Sequence, residues 1–86
     1  MSEQDDLWQF PCQFTFKAMT EAISGIEDEI VTAIQQHAPG DYTANIRESR
    51  GGNYFSVTVS IHVSSKDQLD AIYRDVHALT GVKMLL

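Results

Sequence analysis

From Tyr54 to Val63 the chain alternates without a break. Phe55, Val57, Val59, Ile61 and Val63 fall on one face, and Tyr54, Ser56, Thr58, Ser60 and His62 on the other. Successive side chains of an extended strand point to opposite sides, so this run is a strand with one face to cover and one to leave open. A strand or hairpin alone does not survive in water. The rest of the 86 residues must supply its neighbours and a lid for the apolar side.

The neighbours are legible. Phe14-Thr15-Phe16-Lys17 alternates in the same way and predicts a first strand over about 13–19. Tyr42, Ala44 and Ile46 alternate with Thr43, Asn45 and Arg47, which predicts a second strand over 42–49, and Gly51-Gly52-Asn53 joins it to the long strand as a hairpin. Val82 to Leu86 reads as a last strand. Two helices lie between. Ser24-Gly25-Ile26-Glu27 has the form of a capping box, and Glu27, Asp28 and Glu29 crowd the first turn, where the helix dipole favours acids. Ile26, Ile30, Ala33, Ile34 and His37 form one face of a helix over about 25–38, stopped by Pro39-Gly40, and Ile23 precedes it as a staple. Ser65-x-x-Gln68 opens a second helix with a stripe of Leu69, Ile72, Tyr73, Val76 and Leu79, closed by Gly81. The order βαββαβ with right-handed crossovers predicts an α+β, ferredoxin-like fold: a four-stranded antiparallel sheet in the order 4-1-3-2 with both helices on one face.

Charge narrows the function classes. There are 12 acids against 6 bases, a net charge of −6. Seven of the acids stand in residues 1–30 against Lys17 alone, and the remainder of the chain is neutral. Residues 1–9 read as an acidic leader to a single domain over 10–86. Nucleic acid is not expected as a partner of so acidic a chain, nor an anionic membrane surface. The acidic N-terminus is unlike a signal peptide, and no apolar run approaches a membrane span, so a cytoplasmic location is expected. A single cysteine, Cys12, forms no internal disulfide and fits a reducing compartment. His37, His62 and His77 show no ligand spacing, and Gly51-Gly52 lies in a hairpin rather than between strand and helix, so no cofactor, metal or catalytic residue is expected and the chain reads as a non-enzyme. Trp8 is expected to fold back onto the body.

Phe10-Pro11 with Phe14-Thr15-Phe16-Lys17, His37-Ala38-Pro39-Gly40-Asp41-Tyr42, and Gly52-Asn53-Tyr54 with Ser56-Val57 resemble the YbeD family of small bacterial proteins over about residues 10–86. The resemblance implies a cytosolic protein with a fold like the ACT domains, which bind small effectors and regulate metabolic enzymes, and a regulatory link to lipoate metabolism. It carries over no catalytic or ligand residue. ACT-type modules hold a ligand near the first strand-to-helix loop; here that is Met19 to Gly25, with Thr20 and Glu21 as exposed polar residues and Gly25 permitting close approach.

The open face offers a second candidate. It is expected to carry Thr15, Lys17, Arg47, Tyr54, Ser56, Thr58, Ser60 and His62, of which Arg47, Tyr54, Ser56, Thr58 and His62 form the candidate interaction face. The sequence reading is therefore a regulatory module bound by a small-molecule effector, a protein partner or a second copy. Its alternatives are a protein adaptor without a ligand and a weak RNA binder using the single aromatic ring of that face.

Overall fold

The computed structural model describes residues 12–85. The leader 1–9 with Trp8, the Phe10-Pro11 pair, Leu86 and the side chain of Cys12 lie outside the described residues. The elements are β1 (Cys12–Glu21), α1 (Ile26–Gln35), β2 (Ala44–Glu48), β3 (Tyr54–Val63), α2 (Lys66–His77) and β4 (Val82–Leu85). The four strands form one antiparallel sheet in the order β2-β3-β1-β4, the arrangement expected from the sequence read from the other edge.

Pairing register decides what lies where. β1 and β3 pair over their whole length, from Cys12 opposite Val63 to Glu21 opposite Tyr54. The alternate residues Phe16, Ala18, Val57, Val59, Ile61 and Val63 are thereby brought to one face and buried. Ile26, Ile30, Ala33 and Ile34 of α1 and Leu69, Ile72 and Val76 of α2 close over them. Tyr73 packs edge-on to Phe14, with ring centroids 6.2 Å apart, and tilted against Phe16 at 5.1 Å.

Two local expectations are corrected. Ser24 does not cap α1: Gly25 is the N-cap residue, at φ +84°, and no side chain caps the helix. The reason is non-local, because the entry to α1 is set by backbone bonds from Ala22 N–H to Asn53 O, Ile23 N–H to Glu21 O and Ile26 N–H to Ile23 O, which leave Ser24 outside in the turn. The second correction is at the other end of α1, which stops at Gln35 rather than 38. Pro39 disfavours the helical conformation at Ala38, and the turn closes with His37 N–H and Ala38 N–H both on Ile34 O. Tyr42 then donates its hydroxyl to Ala38 O at 2.6 Å and is spent on sealing this helix end instead of joining β2. Ile46 is 43% exposed despite facing the helix side opposite Val57, because β2 is an edge strand that the helices do not cover fully.

Ser65, by contrast, caps α2 as its motif predicts. Its Oγ accepts from Gln68 N–H at 3.1 Å, and Gln68 Oε1 accepts from Ser64 N–H at 2.6 Å. Gln68 Nε2 also donates to His37 O at 2.8 Å, and His37 Nε2 meets Asp75 Oδ2 at 2.5 Å, so two contacts tie the end of α1 to α2.

Candidate functional site

Among the described residues the second face of the sheet carries no helix, and the register assembles it in rows. Arg47 stands opposite Ser56, Ser56 opposite Met19 and Met19 opposite Met84, so one row crosses all four strands. Cross-strand neighbours are about 5 Å apart, which makes each a contact partner of the next. The adjoining rows are Asn45, Thr58 and Lys17 on one side and Tyr54 with Glu21 on the other. Beyond these come Ser60 with Thr15, then His62 with Gln13.

The five residues of the candidate interaction face, Arg47, Tyr54, Ser56, Thr58 and His62, all lie on the open side of the sheet, but that side is not the hydroxyl surface that the sequence suggested. Met19 is 38% exposed, Tyr54 45% and Met84 51%. They cluster at one end, where β1 finishes, β3 begins and β4 pairs with β1. Sequence reading put Met19 in the ligand loop rather than on this face and did not single out Met84. The alternation of Thr15 and Lys17, carried two residues further, reaches Met19; nothing in the sequence sets Met84 beside it, because the β1–β4 register shifts between Met19 and Thr20. The shift leaves Lys83 as the extra residue of β4, with its Nζ 3.9 Å from Glu21.

Charge divides between the layers. α1 contributes three acids and no base, and α2 three acids and two bases, a net −4 for the helices. The open face carries Lys17 and Arg47 together with Glu21, which Lys83 matches, a net +2. Among the described residues neither Lys17 nor Arg47 has an ion-pair partner.

The candidate ligand loop is not brought together. Thr20 is fully buried rather than exposed, since β1 runs on to Glu21 and places it on the same face as Phe16 and Ala18. Its hydroxyl donates to Glu21 O at 2.9 Å. Glu21 turns to the open face, opposite Tyr54, while Gly25 sits at the start of α1 with nothing within 4 Å of where a Cβ would stand. A shallow groove of 330 Å³ lies elsewhere, on the flank of α1, lined by Asp28, Glu29, Thr32, Ala33 and Leu79. Among the described residues, no three His, Cys, Asp or Glu side chains gather as a metal site requires, and no helix is long and apolar enough to cross a membrane.

Comparison with known proteins places the chain. The family model described as "Protein of unknown function (DUF493)" matches residues 5–86. A UPF0250 protein of Shewanella sp. strain ANA-3 is 39% identical over 82 residues, covering 95% of this chain and 93% of that one. A UPF0250 protein of Shewanella baltica strain OS155 is 40% identical over the same span. Among solved structures, the solution structure of protein HP0495 from H. pylori is similar with a TM-score of 0.72 at 17% identity, covering 92% of this chain and 85% of that one. The ACT domain from GTP pyrophosphokinase of Chlorobium tepidum is similar with a TM-score of 0.62 at 17% identity, covering 86% and 94%. That likeness establishes an ACT-like, ferredoxin-like fold. The YbeD assignment is corrected by the DUF493 and UPF0250 matches, and the lipoate link it implied goes with it. The His37 to Tyr42 segment, one of those that carried that resemblance, is explained by local structure, as the seal on the end of α1.

Proposed function

The chain belongs to the DUF493 family of proteins of unknown function, and from that premise we propose that it is a non-enzymatic, cytoplasmic regulatory module whose open sheet face docks on a protein. The observation that carries this is the cluster of Met19, Tyr54 and Met84, three large side chains exposed together on the uncovered face. Scattered apolar residues are ordinary on a surface, but a contiguous set beside an arginine has the composition of a binding patch. Two-layer folds of this size have one face to spare, and here the spare face is where the apolar surface collects.

The test is affinity capture from a bacterial lysate with the intact chain and with Tyr54→Ala and Met84→Glu. Both substitutions are at exposed positions and leave the core untouched. A partner retained by the intact chain and lost by both variants is the expected result. A captured set that neither variant alters refutes the assignment of the face.

A further inference from the structure

We infer that the open face recognises an acidic segment bearing aromatic or aliphatic side chains; this rests on the docking role proposed above and names the chemistry of the partner. The charge distribution carries the inference. In a chain of net charge −6, the uncovered face is the positive one, with Lys17 and Arg47 unpaired among the described residues and the helix layer at −4. Lys17 lies two residues from Met19 on the same face of β1, and Arg47 shares the row of Met19 and Met84. The cations therefore flank the apolar cluster instead of standing apart from it.

Other occupants fit less well. The open face of a second copy, packed across about 10 Å, would offer Lys17 and Arg47 no free acid, because its Glu21 is already matched by Lys83. A nucleic acid would find two cations and one exposed ring, and its phosphates would be repelled by the rest of an acidic chain. An acidic segment with apolar side chains satisfies both parts of the face: its carboxylates meet Lys17 and Arg47, and its side chains cover Met19, Tyr54 and Met84. Its charge also steers approach to this side of the molecule and away from the helices.

The experiment uses the full chain and a fluorescent peptide alternating Asp or Glu with Phe, Leu and Trp. Three controls accompany it: the peptide with Lys for each acid, the peptide with Ala for each apolar residue, and single-stranded RNA of similar length. Fluorescence anisotropy reads affinity, and the ε-methyl NMR signals of Met19 and Met84 report where binding occurs. Two exposed ion pairs give a preference of about twofold to thirtyfold for the acidic over the basic peptide. That preference shrinks as salt shortens the reach of the charges. It reverses in Lys17→Glu/Arg47→Glu, which retains the parent's melting temperature, and both methyl signals shift on binding. Equal or tighter binding of the basic peptide, tighter binding of RNA, absence of binding at about millimolar peptide, or a concentration-dependent dimer that shifts the methyls without peptide overturns the inference. Loss of the lysate partner in Met84→Glu with no effect of the charge reversal keeps the docking face and removes only its acidic ligand.

Discussion

Gly81 joins α2 to β4, and alanine there provides the most demanding test of how the domain holds together. Its φ of +95° lies in the left-handed region, and a Cβ would stand 2.5 Å from Ile23 Cδ1 and 3.1 Å from Ile26 Cδ1. Gly25, at φ +84°, has nothing within 4 Å. The two positions share the backbone penalty and differ in the clash. The left-handed conformation costs an alanine about 1–2 kcal/mol, and displacing the end of the half-buried Ile23 side chain while crowding the buried Ile26 adds about 1–3 kcal/mol. Gly25→Ala should then lose about 1–2 kcal/mol and Gly81→Ala about 2–5 kcal/mol. A domain of this length has about 4–13 kcal/mol in all, so the second variant is near the limit of folding.

Urea unfolding followed by circular dichroism measures both variants. If Gly81→Ala is too unstable for a full baseline, Gly81→Ala with Ile23→Val, which removes the clashing Cδ1, should recover most of the excess. Unfolding free energies within about 0.5 kcal/mol of each other for the two single variants would refute the reasoning, because strain alone would then account for both.

Other consequences are more local. Ser65→Ala should cost about 1 kcal/mol in the same assay by removing the cap bond to Gln68 N–H, while Ser24→Ala should leave stability unchanged because Ser24 caps nothing. Burial pushes the Tyr73 phenol above its ordinary range. The unfolded chain therefore ionises first as pH rises; the contribution is intact below pH about 10 and is lost as pH climbs through the folded value. Tyr73→Phe keeps the ring against Phe14 and Phe16 and should flatten the alkaline limb of a stability–pH profile. The His37–Asp75 contact, partly exposed, should show a coupling of about 0.2–1 kcal/mol in a double-mutant cycle with alanine at both positions, read from urea midpoints.

What the sequence made legible follows from periodicity. The alternation of β3 announced its buried and open faces residue by residue, and the order of elements led to the strand order. Identical local signals, however, had different outcomes. Ser24-x-x-Glu27 and Ser65-x-x-Gln68 are both capping boxes in sequence, yet only Ser65 is used, because a distant hairpin carbonyl, at Asn53, holds the approach to α1 through Ala22 N–H. Thr20 was readable in principle, as the next even position after Phe14, Phe16 and Ala18, once β1 is allowed to run to Glu21. Ile46 was not, since alternation reports the direction of a side chain and says nothing of whether a helix reaches the sheet edge. Met84 depended on a register shift that leaves no mark in composition or pattern.

That register shift links stability to the face. Glu21 N–H donates to Gly81 O at 2.7 Å, which pins the end of β1 to the start of β4. From there Val82 pairs with Thr20, Lys83 is left as the extra residue, and Met84 falls beside Met19. A regular ladder would put Lys83 opposite Met19 and turn Met84 to the helix side, because a slip of one residue exchanges the faces of a strand. The same turn thus closes the core over Ile23 and Ile26 and composes the apolar end of the open face. Gly81→Ala should accordingly weaken capture of the partner even under conditions where the chain stays folded, while Gly25→Ala, equally strained but with open space around its Cβ, should not. Equal capture by the two variants at matched folded fractions would show that the placement of β4 does not govern the face.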